Sequence, residues 1–151
     1  MEIAFFQAKC SECGTEFSTP LLSDFSYGQF IARSENGLFF AYLNAIEELA
    51  FKEISCIFDK LLRECGSSLD ENTCFHSVVG KCSDMIEGQE MRIDIGPICP
   101  YCKSSSYHYD NLKMVEKREI ENLSFTSFVA LSDEEKNSLI RDYICGEKKS
   151  N

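Results

Sequence analysis

Two pairs of cysteines, each with two residues between its members, restrict the folds open to this chain more than any other feature. The pairs are Cys10-Ser-Glu-Cys13, followed by Gly14, and Cys99-Pro-Tyr-Cys102, preceded by Gly96-Pro97. A two-residue spacer lets a tight turn direct both sulfur atoms at one ion while backbone amides of the turn donate to the thiolates. A glycine directly after the second cysteine tolerates the left-handed conformation that such turns favour. The two pairs together predict a tetrahedral site made of four cysteines.

The second pair taken alone also suggests a redox dithiol. Cys99-Pro-Tyr-Cys102 resembles the dithiol of glutaredoxins, in which the nucleophilic cysteine begins a helix and a cis-proline loop lies downstream. The helix N-terminus is needed because its dipole lowers the pKa of the thiol. In this chain no proline follows Cys102, and the KSSSYHYD segment after it is typical of a strand. The sequence therefore favours a metal site over a redox site.

Taken together, the two pairs resemble the knuckles of the zinc-ribbon class, in which two CxxC turns on two β-hairpins clamp one zinc ion. The resemblance covers the knuckles and their flanking strands, and 85 residues separate Cys13 from Cys99, where a few tens are usual. It implies either that residues 27–88 form an insertion between the knuckles or that the ribbon closes a larger α+β domain. It also implies one structural zinc ion with no coordination position open to water, bound by Cys10, Cys13, Cys99 and Cys102. An iron–sulfur cluster is the alternative use of the same thiolates.

The first half of the chain predicts strands followed by a helix. Residues 2–9 predict a strand that leads into the first knuckle. The SENG segment ending at Gly37 predicts a hairpin with strands near 27–33 and 38–43, because Asn-Gly suits a turn with positive φ. Apolar residues at helical spacing over 49–62 predict an amphipathic helix that ends at Gly66. A continuous helix from Leu38 to Arg63 competes with this interpretation, so residues 38–50 remain open between strand and helix.

The second half predicts less regular structure before a final helix. Residues 66–88 predict a loop with one or two helical turns, and QEMRIDI (89–95) alternates as a half-buried strand that runs into the second knuckle. The segment after that knuckle is expected to supply one or two further strands. A capping box at Ser132 and Glu135 predicts a C-terminal helix. The expected fold is one α+β domain over 1–146, with a small antiparallel sheet or zinc ribbon, a central amphipathic helix and a C-terminal helix. Residues 147–151 are expected to be a disordered tail.

Other cysteines and both histidines are weaker candidates for metal binding. A second metal site at Cys65, Cys74, His76 and Cys82 is left open, although their spacing fits no common zinc motif. His108, between two tyrosines, is either an exchange ligand near the zinc or an ordinary strand residue. Cys56 and Cys145 lie among apolar residues on predicted helices, which predicts that they are small core residues.

Composition and charge argue against several classes of function. Lys and Arg number 15 against 25 Asp and Glu, which gives a formal charge of -10 and no basic run longer than two residues. Nucleic acid is therefore an unexpected partner, whereas a basic protein suits an acidic surface. No nucleophile-elbow, P-loop, dinucleotide-binding or HExxH motif is present, so neither an enzyme nor a small-molecule substrate is expected. The absence of a signal peptide and of a membrane span predicts a cytoplasmic protein.

These observations predict a non-enzymatic, zinc-stabilised protein-binding module. An acidic inhibitor or immunity-type protein that neutralises a basic toxin or nuclease fits the charge. The alternative is a zinc-ribbon nucleic-acid or transcription accessory protein. A catalytic zinc protein would require an open coordination position near His76 or His108.

Overall fold

The structure is a computed structural model that describes residues 1–23, 26–65 and 71–146, the side chains of 71–74 excepted. The predicted tail at 147–151 and the predicted helix stop at Gly66 lie outside the described residues. The fold is α+β, as the sequence predicts. Its elements are, in chain order, β1 (Glu2–Cys10), β2 (Glu16–Pro20), β3 (Gln29–Ser34), β4 (Phe40–Asn44), α1 (Leu49–Cys65), α2 (Glu71–Cys82), β5 (Met91–Arg92), β6 (Tyr107–Glu119), α3 (Thr126–Val129) and α4 (Asp133–Gly146).

The strands form two three-stranded antiparallel sheets. The first sheet has the order β2-β1-β6 and the second has the order β4-β3-β5. β1 is the centre of the first sheet, and its last residue, Cys10, pairs with Tyr107 at the beginning of β6. The first sheet therefore brings the segments that carry the two knuckles to the same end of the sheet.

Two hydrophobic cores hold the molecule together. The larger core packs the second sheet against the helices, and α1 contributes Ala50, Ile54, Phe58 and Leu61 at helical spacing. The smaller core lies between the sheets and combines Ile3 and Phe5 of the first with Ile31 and Tyr42 of the second. Each large apolar side chain buried in this way stabilises the fold by about 1.5–3 kcal/mol before the entropy cost of ordering. The smaller core thus links the sheet that carries the knuckles to the rest of the molecule.

Helices α1 and α4 pack side by side and run in the same direction. The Lys136 ammonium near the beginning of α4 lies 2.8 Å from the Glu53 carboxylate near the beginning of α1. Arg141 lies 3.6 Å from Glu64, further along both helices. The two N-terminal ends therefore lie at one end of the helix pair. Among the described residues, no helix has the length and the apolar character that crossing a membrane requires.

Several sequence predictions are confirmed. β3 and β4 form the predicted hairpin, and Gly37 in its turn has φ of +76°. α1 is the predicted amphipathic helix, and α4 begins with the predicted capping box, in which the Glu135 amide donates to the Ser132 hydroxyl at 3.1 Å. The competing continuous helix from Leu38 is wrong, because Phe40–Asn44 pairs with β3 as strand β4 and a turn precedes α1.

Three predictions are corrected. Residues 71–82 form the helix α2 rather than a loop with one or two helical turns. The predicted strand at 89–95 keeps its alternation, with Met91 and Ile93 buried, but only Met91–Arg92 pairs with β3. Cys56 is exposed rather than part of the core, because it follows the buried Ile54 by two positions and so lies on the opposite side of α1.

The segment after the second knuckle forms one long strand. β6 pairs with β1 along most of its length, with one register shift between Met114 and Glu116 and a longer one between Tyr109 and Met114. Asn111 and Leu112 in that shift both have φ of 51°, so the extra residues are accommodated by left-handed backbone. Beyond the shift β6 is exposed and forms the edge of the first sheet.

Candidate metal centre

The four predicted cysteines come together although 85 residues separate the two pairs in sequence. Their sulfur atoms all lie within 4.8 Å of one another. The sulfur of Cys10 is 3.4 Å from that of Cys102, and the sulfur of Cys13 is 3.7 Å from that of Cys99. Four thiolates around a tetrahedral zinc ion, with Zn–S bonds of about 2.3 Å, would lie about 3.8 Å apart. The spacing of the sulfur atoms therefore fits a zinc ion.

The two knuckles share one backbone hydrogen-bond pattern. In the first, the Cys10 amide donates to the Thr15 carbonyl and the Gly14 amide donates to the Cys10 carbonyl, both at 3.0 Å. In the second, the Cys99 amide donates to the Ser104 carbonyl and the Lys103 amide to the Cys99 carbonyl, both at 2.9 Å. Each knuckle is thus the same tight turn, which directs its two cysteine side chains toward the other knuckle.

The surroundings of the thiols differ within each pair. Cys10 and Cys99 are each 1% exposed, whereas Cys13 and Cys102 face solvent. Hydrogen bonding to Thr15, whose hydroxyl lies 3.1 Å from the Cys13 sulfur, lowers the pKa of the Cys13 thiol to about 6. The Cys13 backbone amide lowers the pKa of Cys10. At neutral pH Cys13 therefore offers thiolate sulfur, which is the form that binds metal.

In the metal-free cluster the pKa of the Cys102 thiol is raised, whereas the pKa values of Cys10 and Cys13 are lowered. The Ser104 backbone amide favours its thiolate, but the contacts with the Cys10, Cys13 and Cys99 thiols outweigh that effect and raise the pKa of Cys102 to about 12. Four sulfur atoms in contact cannot all carry a negative charge without a cation among them. A divalent metal removes that repulsion, so binding of the metal releases protons from the cluster.

The turn of the β3–β4 hairpin packs against the backbone of the second knuckle. A Cβ atom placed on Gly37 would lie 2.7 Å from the Ile98 carbonyl oxygen, so the two backbones approach as closely as glycine allows. The Lys103 ammonium donates to the carbonyl oxygens of Asn36 and Pro100 at 2.9 and 2.6 Å. A further bond joins the knuckles directly, from the Ser11 amide to the Ser106 carbonyl at 2.9 Å.

The residues proposed for a second metal site do not form a cluster in the described part of the chain. The His76 ring packs against Phe30, with ring centroids 5.2 Å apart. Cys82 is buried in the larger core, where desolvation raises the pKa of its thiol to about 12. The Cys65 sulfur lies 2.7 Å from the Cys145 sulfur, and the Cys74 side chain is outside the described residues. His108 is exposed on β6 and is not a member of the four-cysteine group.

Sequence reasoning missed the residues that support the knuckles. Thr15 is recognisable in retrospect, since a hydroxyl two positions after Cys13 reaches that sulfur through local backbone geometry. The supporting roles of Asn36, Gly37 and Lys103 are not recognisable, because they come from contacts between segments far apart in sequence, such as the bond from Lys103 to Asn36, 67 positions away. Cys145, predicted to be a small core residue, is partly buried and packs against the larger core, and its thiol contact with Cys65 has no sequence signal.

The chain matches no model of a protein family, and no curated protein or solved structure is found to be similar to it. The candidate site is therefore assigned from its own geometry. The zinc-ribbon resemblance remains confined to the cysteine knuckles and the strands beside them.

Proposed function

We propose that this protein is a zinc-stabilised, non-enzymatic module that binds a basic protein through an acidic surface. The observation that carries the zinc half of the proposal is the convergence of four sulfur atoms within 4.8 Å, on two knuckles of the same backbone structure. Cys10, Cys13, Cys99 and Cys102 hold one zinc ion, which supplies the positive charge that keeps the four thiolates together.

The ligand set supports a structural role for the zinc ion. Four cysteine sulfurs complete a tetrahedral shell, so no position is left for a water molecule or a substrate. Cys10 ends β1 and Cys99 precedes β6, and these two strands are neighbours in the first sheet. The zinc ion bound by the four cysteines therefore cross-links the two knuckles at the end of this sheet where they meet.

The distribution of acidic side chains supports a cationic protein as the partner. The parallel packing of α1 and α4 gathers acidic residues at the N-terminal end of the helix pair, and we call this group the acidic end: Glu47, Glu48, Asp133, Glu134 and Glu135. Glu47, Asp133 and Glu134 are exposed and form no ion pair with any described residue. Such a field attracts a basic surface over distances of about 10 Å at 0.1 M salt. An inhibitor or immunity-type protein that covers the active site of a basic toxin or nuclease would use this surface.

The charges of the first sheet weigh against the nucleic-acid alternative. β6, its exposed edge strand, carries three basic residues, Lys113, Lys117 and Arg118, and three acidic residues, Asp110, Glu116 and Glu119. A strand that tracked a phosphate backbone would be expected to carry an excess of basic residues. The -10 charge of the whole chain adds a general repulsion of polyanions.

Elemental analysis of the purified protein tests the zinc assignment. We expect about one zinc per chain, lost when Cys10, Cys13, Cys99 or Cys102 is replaced by serine. Cys56→Ser is the matched control, because Cys56 is exposed on α1 and outside the four-cysteine group. Iron in place of zinc, or a folded metal-free protein with these four thiols open to alkylation, would overturn the assignment.

Affinity capture followed by reconstitution tests the partner. The zinc-loaded protein is used as bait with and without nuclease treatment, and each protein recovered is purified and measured for direct binding. We expect a basic protein that binds directly and is retained after nuclease treatment. Recovery that depends on RNA or DNA would support the alternative function, and binding only of acidic proteins would remove the electrostatic basis of the proposal.

A further inference from the structure

Two thiols at the C-terminal ends of α1 and α4 lie in contact. Cys65 is the last residue of α1, and Cys145 is the residue before the end of α4. Their sulfur atoms are 2.7 Å apart although the residues are 80 positions apart in sequence. A disulfide bond joins two sulfur atoms at about 2.05 Å, so the two thiols are within a short side-chain movement of bonding distance. Neither cysteine belongs to the four-cysteine group.

The packing of the two helices fixes this contact. The ion pairs Glu53–Lys136 and Glu64–Arg141 hold the helices in the same direction along their length. Near the C-terminal ends of the two helices, Leu61 of α1 and Ile144 of α4 are fully buried in the same core. The thiols are therefore brought together by structure that exists before any bond forms, which removes most of the entropy cost of closure.

We propose that Cys65 and Cys145 are an oxidative modification site, at which hydrogen peroxide or another two-electron oxidant of its class forms an intramolecular disulfide. One cysteine, as the thiolate, attacks an oxygen of peroxide; the O–O bond breaks, hydroxide leaves, and the sulfur becomes a sulfenic acid. The other thiolate attacks that sulfur; the S–S bond forms, the S–O bond breaks, and a second hydroxide leaves. With the two thiol protons, peroxide is reduced to two water molecules while the two cysteines are oxidised to one disulfide.

The product would fasten the end of the C-terminal helix to α1. The acidic end of the helix pair and the metal site remain unaltered in covalent structure, because neither contains Cys65 or Cys145. A dithiol reductant reverses the step by thiol–disulfide exchange, so the modification is reversible. The inference is independent of the proposed function, since it requires neither the zinc ion nor the partner.

Peptide mapping of the oxidised protein tests the proposal. The zinc-loaded full chain is treated with hydrogen peroxide, remaining thiols are alkylated, and the digest is analysed by mass spectrometry with and without dithiothreitol. We expect a dithiothreitol-sensitive peptide pair linked through Cys65 and Cys145, with zinc retained. We also expect the melting temperature to rise by about 5–10 °C, because the bond closes a long loop in the unfolded chain.

Serine variants supply the controls. Cys65→Ser and Cys145→Ser should each abolish the linked peptides, whereas Cys56→Ser, which removes an exposed thiol of the same helix, should leave them unchanged. If a serine variant does not fold, the peptide map of the oxidised wild-type protein still shows whether Cys65 and Cys145 are linked. Continued alkylation of both cysteines after oxidation would overturn the proposal, as would a disulfide from either one to a different cysteine. A second zinc equivalent that Cys145→Ser removes would also overturn it, by assigning these thiols to metal binding.

Discussion

The residue after the second cysteine has left-handed backbone in both knuckles, but a different side chain occupies the position in each. Gly14 has φ of +74° and Lys103 has φ of +65°. For a residue with a Cβ atom this conformation costs about 1–2 kcal/mol relative to right-handed backbone. Lys103 offsets that cost with its two hydrogen bonds to the carbonyls of Asn36 and Pro100. The first knuckle avoids the cost by having glycine.

Replacing Gly14 by alanine isolates this backbone effect. A Cβ atom at Gly14 would meet no atom within 4 Å, so any loss of stability comes from the conformation and not from a clash. We expect Gly14→Ala to lower the free energy of unfolding of the zinc-loaded protein by about 1–2 kcal/mol, measured by urea denaturation. Gly96→Ala is the control, since Gly96 is equally open and has no positive φ. Equal effects of the two substitutions would contradict the assignment.

The roles of Gly14 and Lys103 also show what the sequence can predict at the scale of a residue. A glycine beside a CxxC pair has a local meaning, because the turn itself requires positive φ. A lysine at the same position has no such meaning until the β3–β4 turn is placed beside it. The four clustered cysteines and the role of Gly14 could therefore be predicted from spacing, whereas the residues that support the knuckles from the second sheet could not.

Helix α2 also contains a residue whose role cannot be read from the sequence alone. Its buried positions Val78, Val79 and Cys82, with the half-buried Phe75, recur at helical spacing. Gly80 in their midst reads as a helix breaker in sequence. In the structure a Cβ atom on Gly80 would lie 2.7 Å from the Met91 carbonyl oxygen, so glycine is needed for the helix to approach β5. The prediction of a loop missed the helical spacing of these buried positions, and the need for glycine at position 80 depends on tertiary packing.

The short helix α3 depends on a carboxylate from a distant loop. Asp84 accepts hydrogen bonds from the Ser124 hydroxyl at 2.6 Å and from the amides of Thr126 and Ser127 at 2.8 and 3.0 Å. Partial burial acts to raise its pKa, but these hydrogen bonds prevail and hold the pKa of Asp84 well below its ordinary value. The carboxylate therefore caps α3 in its charged form.

Removing this cap should destabilise the protein in a pH-dependent way. We expect Asp84→Ala to lower the free energy of unfolding by about 1–2 kcal/mol at pH 7. Because the folded-state pKa lies below the unfolded value of about 3.9, the contribution is complete above that pH and is lost as the pH falls through the folded-state pKa. Asp59→Ala, at an exposed position of α1, is the control and should change stability by no more than about 0.5 kcal/mol. A deficit that persists unchanged in strong acid would contradict the role of the carboxylate.

In the molecule as a whole, the four-cysteine cluster connects segments that lie far apart in the sequence. The first sheet is built from residues 2–20 and 107–119, and the second sheet and two helices come from the sequence between the knuckles. The α+β class and the clustering of the four cysteines could be predicted, because they follow from local periodicity and from the spacing of the cysteines. The division into two sheets and the parallel packing of α1 and α4 could not, because both depend on long-range pairing.

Loss of the metal should therefore destabilise the whole fold. Cys99→Ser removes a buried ligand, and we expect it to lower the melting temperature by about 10 °C or more, since a structural zinc site that closes a long loop contributes several kcal/mol. The variant should also become insensitive to chelator, whereas wild-type protein and Cys56→Ser should melt lower when chelator is added. A Cys99→Ser protein that melts like the wild type would show that the site does not stabilise the fold.

The acidic end contains two kinds of carboxylate, and only one kind is available to a partner. The Glu48 carboxylate accepts from the Ala50 amide at 3.1 Å, and the Glu135 carboxylate accepts from the Ser132 amide at 3.0 Å. These two side chains cap α1 and α4, so changing them would disturb the helices. Glu47 and Glu134 are exposed without such bonds, which makes them the positions at which charge can be tested separately from stability.

Reversing the charge at Glu47 and Glu134 should slow association with a basic partner and leave the zinc site intact. We expect Glu47→Lys with Glu134→Lys to lower the association rate constant by about tenfold at 0.1 M salt, measured by stopped flow. The difference from wild type should vanish near 1 M salt, where the Debye length falls from about 10 Å to about 3 Å. Zinc content should not change, and the melting temperature should fall by no more than a few degrees, because a lysine in the first turn of α4 opposes the helix dipole.

Asp59→Lys with Asp142→Lys makes the same change in net charge toward the other end of the two helices, and we expect a much smaller effect on the rate. Equal slowing by both pairs would show that net charge and not the acidic end directs the encounter, and a rate unaffected by either pair and by salt would remove the electrostatic basis of partner binding.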